Sequence, residues 1–209
     1  MSKPVSIVQS HNVISVLANN VNWSALDGDI LQRIIDNPRW AGENFTTFLK
    51  NGGKIIVGEQ VITIDRSKPF NPAEFISKGW TIDEEDEHSL VLTQVNLADV
   101  RLEHMLKKDE SRIKGEERLR RLKSTDYVRL DAKIFQTLWE NQALIPEIWK
   151  QRTDGNTTFI FFDGSILRSP DGNRYVLYLC WNDDRWLWRC RWLERDWAVH
   201  DPSAVLASI

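Results

Sequence analysis

Residues Thr157 to Val199, TTFIFFDGSILRSPDGNRYVLYLCWNDDRWLWRCRWLERDWAV, place three turn signals in one aromatic-rich run. Asp163-Gly164 and Asp171-Gly172 are two-residue hairpin signals, and Asn182-Asp183-Asp184-Arg185 supplies a third turn. The stretch therefore predicts an antiparallel β-meander of about four or five strands. Pairing Phe162 with Ser165, Pro170 with Asn173 and Trp181 with Trp186 collects Phe159, Phe161, Ile166, Tyr175, Leu177, Leu179, Trp181, Trp186, Trp188, Cys190 and Trp192 on one face. A slip of one residue would scatter that set, so agreement across three turns supports the register. The opposite face then carries Ile160, Phe162, Leu167, Val176, Tyr178, Cys180, Leu187 and Leu193 beside Arg174, Arg189 and Arg191. It is half apolar and cationic, and the reading places a helix over part of it with the arginine end exposed. The same register sets Cys190 opposite Leu177 and Cys180 opposite Leu187, on opposite faces, where the two thiols cannot bridge.

Upstream, the pattern is mostly helical. Residues 4 to 20 fit strand or helix equally. Ile30, Leu31, Ile34 and Ile35 recur at helical spacing from Asp27 to Asp36, and Asn37-Pro38 stops the run. A second helix follows from about Ala41 to Lys50, with Asn51-Gly52-Gly53 as its left-handed exit. Lys54 to Ile64 alternates and reads as two short strands or one strand with a bulge. Asn71-Pro72 opens a short helix that Gly79 closes, and Ser89 to Val95 is β-rich. The five consecutive carboxylates Asp83 to Glu87 read as a solvated loop in preference to a metal or partner site. Leu97 to Lys123 is helical and charged, with a helix from Gly115 ending at Lys123. Asp131 caps a stronger helix carrying Ile134, Leu138 and Trp139, and Pro146 starts a short one with Ile148 and Trp149. The expected architecture is α+β: residues 1–52 form a helical N-terminal segment, and 53–209 an α+β domain whose meander packs on helices.

Composition narrows the class. The 209 residues, 42% hydrophobic and 27% charged, bury an ample core without staples. The 27 Lys/Arg against 30 Asp/Glu give a formal charge of -3, so no global basic field draws the protein onto nucleic acid or anionic lipid. Tyr175 to Trp181, the longest apolar run, is too short for a membrane span, and the N-terminus lacks a signal peptide's apolar core. A cytoplasmic location follows, and the triplets at Asn22, Asn44 and Asn156 are then chance glycosylation matches. Cys180 and Cys190 are too few for a disulfide framework and lack metal-ligand spacing.

Several phrases are long enough to be specific: Gly115-Glu-Glu-Arg-Leu-Arg-Arg-Leu-Lys, Arg129-Leu-Asp-Ala, Leu138-Trp-Glu-Asn, Leu144-Ile-Pro-Glu, Asn156-Thr-Thr-Phe-Ile-Phe-Phe-Asp-Gly, Arg174-Tyr-Val-Leu-Tyr-Leu and Pro202-Ser-Ala-Val-Leu-Ala-Ser. Over roughly Ala41 to Ser208 the chain resembles a family of hypothetical proteins of unknown function from candidate-phyla bacteria. The resemblance implies a bacterial cytoplasmic protein and carries over no activity, cofactor or catalytic residue. Similar proteins have Gly in the third turn where this chain has Asp184, so the type of that turn stays open.

Candidate chemistry centres on aromatics and arginines. Five of the ten tryptophans lie in the last 29 residues. They could stack nucleobases or sugars, but Trp181, Trp186, Trp188 and Trp192 share a face with Leu177, Leu179 and Ile166, which favours core filling. Trp197 is not placed by the pattern. Arg174, Arg189 and Arg191 beside Tyr178 suit phosphate or carboxylate recognition, against the plainer alternative of pairing with Asp183, Asp184 and Glu194. Residues 101 to 133 hold eleven Lys/Arg and seven Asp/Glu, locally +4, so Arg118 and Arg121 mark a basic helix face. The four histidines stand alone, no phosphate loop or nucleophile elbow occurs, and neither cysteine has a visible activating base. Pro170-Asp171 with Asp183-Asp184-Arg185 faintly resembles a metal-dependent nuclease pattern, yet turns account for it fully. No cofactor or metal is expected. The reading is a non-enzymatic binding protein, contacting a macromolecule, a protein in preference to nucleic acid and without membrane, through Tyr178, Arg174, Arg189, Arg191, Arg118 and Arg121. A nucleic-acid binder using the same residues comes second, and a small hydrolase or nuclease third.

Overall fold

The computed structural model describes residues 6–26, 28–50 and 61–207. The protein is α+β and divides into two compact units, Met1–Lys50 and Asn51–Ile209.

In the first unit, α1 (Ile7–Asn20) resolves the open choice at residues 4 to 20 in favour of helix. Ser6 and Gln9 form a reciprocal capping box: the Gln9 amide donates to Ser6 Oγ at 3.2 Å, and the Ser6 amide to Gln9 Oε1 at 2.9 Å. No residue of α1 is buried. α2 (Gly28–Asp36) ends where expected, but α3 (Pro38–Lys50) begins three residues earlier than Ala41. Pro38 both stops α2 and opens α3, because its ring fixes a helical φ and its missing N–H is not needed in a first turn. Phe45 and Phe48 stack at 6.1 Å between ring centroids. The expected Gly52-Gly53 exit and the strand at Ile55 and Val57 lie outside the described residues.

The second unit opens with β1 (Val61–Thr63) and α4 (Pro72–Phe75), capped by Asn71, whose Oδ1 accepts from the Ala73 amide at 3.1 Å. Gly79 does not close α4; it lies further along at φ +90° against the Pro170 ring. The acidic run is no solvated loop. Residues 83–85 belong to β2 (Thr81–Glu85), and buried Asp86 caps α5 (Glu87–Leu90). Strand structure in the segment read as β-rich is confined to β3 (Gln94–Asn96), which pairs antiparallel with β1. Leu97 to Lys123 is also largely not helical. It holds a 3-10 turn (Leu97–Asp99), β4 (Arg101–Glu103) and β5 (Ile113–Lys114), and α-helix only in α6 (Gly115–Lys123). Both strands pair with the C-terminal end of the chain, a long-range demand that overrides local propensity. Then follow β6 (Val128–Arg129) and α7 (Ala132–Glu140), in which Asp131 accepts from the Lys133 and Ile134 amides as its cap. A 3-10 turn from Glu147 to Lys150 buries Trp149 and exposes Ile148.

The remaining strands are β7 (Arg152–Thr153), β8 (Asn156–Thr157), β9 (Phe159–Phe161), β10 (Ser165–Arg168), β11 (Arg174–Asn182), β12 (Arg185–Trp192), β13 (Asp196–Trp197) and β14 (Ser203–Leu206). The hairpin of β11 and β12 has the expected register, with Trp181 opposite Trp186 and Tyr175 opposite Trp192. Asp183 and Asp184 both have positive φ, 51° and 57°, a type I′ turn made without glycine. Cys180 faces Leu187, Cys190 faces Leu177, and both thiols are free.

Asp163-Gly164, however, is not a hairpin. β9 and β10 do not pair; both run antiparallel along the same edge of β11, with Phe161 opposite Tyr178 and Leu167 opposite Tyr175. Between these two pairs the register slips by three, so three extra residues, 162 to 164, bulge out of one broken strand. The Asp171-Gly172 loop likewise pairs Arg168 with Arg174, one residue off the expected register. The faces change accordingly. Phe159, Phe161 and Ile166 join Val176, Tyr178 and Cys180, whereas Ile160, Phe162 and Leu167 join Leu177, Leu179 and Trp186.

The bulge organises the sheet. Below it, β9 pairs in parallel with β14, which carries β4; beyond it, β10 pairs with β2. Short β6 fills the opening and pairs with β14. Gly164 is clamped there: its N–H donates to Leu130 O at 2.9 Å, and its carbonyl accepts from the Asp86 amide at 2.7 Å. A Cβ on Gly164 would lie 2.2 Å from Arg129 O and 2.6 Å from the Leu130 carbonyl carbon, both backbone atoms that cannot rotate away. Gly172, at φ +84°, has open space instead. Gly164→Ala is therefore expected to cost more than about 2 kcal/mol in urea unfolding, and Gly172→Ala only about 1–2 kcal/mol of backbone strain; the reverse order would show that the 162–164 bulge is not under this constraint.

Candidate binding site

Of the six residues singled out in the sequence, Arg118 lies deepest. Gly115, Arg118, Leu119 and Leu122 are buried at helical spacing on α6, so Arg118 occupies a core position. Its guanidinium and the Asp163 carboxylate are both 0% exposed and meet at 2.5 Å. Arg118 Nη1 also donates to Ser203 Oγ and to Asp201 O, and its plane stacks 3.8 Å from the Trp197 ring centroid. Burial lowers the Arg118 pKa, while the charge of Asp163 acts against that shift. Trp197, which the sequence did not place, is thus a wall of this buried pair, and the Phe161 ring closes beside it, 3.8 Å from Trp197 and 5.1 Å from the Arg118 guanidinium.

Three more are committed to carboxylates within the chain. Arg174 bonds Asp83 at 2.9 Å, Glu84 at 2.9 Å and Glu116 at 2.6 Å. Arg121 bonds Glu110 at 2.5 Å and Glu117 at 2.9 Å. Arg191 lies 2.6 Å from Asp201 Oδ1 and within 5.1–5.7 Å of the Phe159, Phe161, Tyr178 and Trp197 ring centroids. Tyr178 is buried at 8% exposure under that guanidinium, and burial pushes its phenol up. Arg168 and Lys123 bind the acidic run as well, through Asp83 and Glu84. Arg189 alone of the six is exposed and makes no ion pair among the described residues.

Arg189 stands on the outer edge of the sheet, because β12 pairs only with β11 among the described residues. Around the end of that edge lies a cleft of about 650 Å³, lined by Arg112, Tyr175, Cys190, Arg191, Trp192, Arg195, Asp196, Trp197, Ala198, His200 and Asp201. Tyr175 and Cys190 belong to one face of the sheet and Arg191 to the other, so the cleft wraps the edge itself. Arg112, Arg185 and Arg195 are exposed and, like Arg189, make no ion pair among the described residues. Arg112, Arg185 and Arg195 are not among the six residues singled out in the sequence. No local signal separates them from the paired arginines, since their pairing is decided by long-range strand order.

The residues of the faint nuclease-like pattern do not come together. Asp171 and the Asp183-Asp184 turn sit at opposite ends of nine-residue β11, roughly 25–30 Å apart at strand rise. Burial pushes the Cys180 and Cys190 thiols up, which disfavours the thiolate. Among the described residues there is no group of three His, Cys, Asp or Glu side chains placed to hold a metal, and no helix is long and apolar enough to cross a membrane. Trp186 is buried and Trp181 and Trp188 pack against the core, whereas Trp192 is half-buried in the cleft. Comparison with protein-family models, with curated proteins and with solved structures gave no match.

Two outcomes follow from this charge arrangement. Asp163→Ala leaves the Arg118 charge buried without its partner and is expected to cost about 3–5 kcal/mol in chemical unfolding, whereas Arg118→Met combined with Asp163→Leu should cost clearly less; equal losses would show that the charges themselves are not the source. Hydrogen bonds from Arg120 and Arg121 lower Glu117 to about 2, and those from Arg121 and the Lys107 amide lower Glu110 to about 2. Both are depressed from 4.5, so their contribution is complete above that pH and is lost as pH falls toward 2. The urea midpoint should therefore drop across this window, and Arg121→Met should flatten the drop; an unchanged slope would contradict the assignment.

Proposed function

We propose that this chain is a non-enzymatic binding protein that engages another protein through the outer edge of β12 and the adjoining cleft. One observation carries the reading. Among the described residues Arg112, Arg185, Arg189 and Arg195 stay exposed without an ion pair around this edge, as do Arg101 on β4 and Arg152 on β7, whereas Arg118, Arg121, Arg168, Arg174 and Arg191 are each matched to a carboxylate. A chain that neutralises its interior arginines and leaves four around one strand edge presents a defined cationic surface. A protein partner is favoured over nucleic acid because Asp183, Asp184, Glu194 and Asp196 interleave with those arginines, so no continuous basic stripe forms.

The test compares the wild-type chain with Arg189→Glu combined with Arg195→Glu, both checked for the same thermal unfolding. Proteins cross-linked to the wild type should be lost from the variant, and labelled DNA and RNA oligonucleotides should show no salt-sensitive anisotropy change with either. Micromolar oligonucleotide binding that disappears in the variant would transfer the site to nucleic acid; adducts unaffected by the substitutions would remove the edge from the function.

A further inference from the structure

We propose that the partner binds β12 as an added strand, and that its recognised segment is extended, with acidic and apolar residues alternating. The inference rests on the binding role proposed for this edge and names the mode and chemistry of the partner.

Backbone parity supplies the first argument. The type I′ turn closes on the pair Asn182 and Arg185, which makes it a hydrogen-bonded pair, and such pairs recur every second residue: 180 with 187, 178 with 189, 176 with 191. Two observed bonds fix the same parity. The Leu193 amide donates to Arg174 O at 3.0 Å, and the Phe162 amide on the far edge donates to Leu177 O at 3.0 Å. The N–H and C=O groups of Arg185, Leu187, Arg189 and Arg191 therefore face β11. Those of Trp186, Trp188 and Cys190 face outward, where no backbone partner occurs among the described residues. These outward groups form a template that an extended segment completes.

Side chains supply the second. Along β12, Arg185, Leu187, Arg189 and Arg191 project to one side and Trp186, Trp188, Cys190 and Trp192 to the other. Arg191 is already held by Asp201, which leaves Arg185 and Arg189 for the incoming strand. Trp188, Cys190 and Trp192 are only half-buried, so the opposite side keeps an incompletely covered apolar margin. A strand laid on this edge meets Arg185 and Arg189, with Leu187 between them, on one side and tryptophan or thiol on the other. Carboxylates on one side and apolar groups on the other match that surface. The cleft at Cys190 to Trp192, flanked by Arg112 and Arg195, takes the end of the segment.

The experiment titrates the full chain with a fluorescein-labelled peptide of alternating Glu and Val, and with a peptide of the same composition in which the Glu and Val residues are grouped in two blocks. Anisotropy should show the alternating peptide binding about tenfold tighter than the block peptide, and Arg189→Glu should weaken it by about tenfold. Cys190→Pro removes an outward N–H without touching the ladder to β11, because edge strands accept proline at such positions, and should weaken binding about fivefold. Hydrogen exchange gives a readout independent of any variant. The amides of Trp186, Trp188 and Cys190 should exchange fast in the free chain and slowly in the complex, while those of Leu187 and Arg189 are protected in both. Equal affinity for the two peptides, or binding without protection of the outward amides, would overturn strand addition. If no peptide binds while the Arg189→Glu, Arg195→Glu variant still loses its cross-linked protein, the binding role stands and the strand mode fails, and the edge arginines act there as side-chain contacts only.

Discussion

The fold of the second unit depends on one buried ion pair at one interruption of a strand. A chain entering along the edge of β11 as β9 and continuing along it as β10 would form a single strand if residues 162–164 kept the ladder. By leaving it, they turn Asp163 into the interior, where Arg118 waits on the core face of α6. Two charges fully removed from water tolerate each other only at contact distance and with further hydrogen bonds, here from Arg118 to Ser203 and the Asp201 carbonyl. The pair thereby joins α6, the bulge and the start of β14, three segments far apart in sequence. Gly164 follows from the same arrangement, because β6 and the cap of α7 approach its backbone too closely for any side chain.

Charge matching extends outward from that centre. Asp83 and Glu84 of β2 face Arg168, Arg174 and Lys123, and Asp86 reaches Arg129, so three of the five consecutive carboxylates serve as counterions to basic residues of the sheet and α6. Arg174 is shared among Asp83, Glu84 and Glu116, which ties the edge of the sheet to the first turn of α6. Exposed pairs of this kind contribute little individually. A guanidinium serving three carboxylates on two elements does more to fix their relative position. Arg191, set among four aromatic rings and against Asp201, repeats the design beside the buried pair, sharing Phe161, Trp197 and Asp201 with Arg118.

Against this background the arginines left over gain meaning. Edge strands invite unwanted pairing, and charges along them are a common protection. β12 has such charges, yet it also has outward backbone groups, a half-covered tryptophan side and a cleft at its end. Protection needs only the charges. The binding role proposed for this edge would use the other three features, with arginine then acting as selector as well as guard.

Local chemistry alone determined a good deal of this protein. The α2 and α7 helices, the Asn71 and Asp131 caps, the β11–β12 hairpin and the opposition of the two cysteines all follow from spacings within about twenty residues, where period, cap and turn signals act directly. The sequence could even have marked Arg118, which falls on the same helical stripe as Leu119 and Leu122. Tertiary structure decided the rest. Whether Asp163-Gly164 reverses the chain or merely kinks it depends on what lies beside it, and β6 and Arg118 are more than thirty residues away. The same holds for which arginines are neutralised and which stay free. A carboxylate that is distant in sequence becomes a neighbour only once strand order is set, and strand order is a long-range competition that no short window of residues contains.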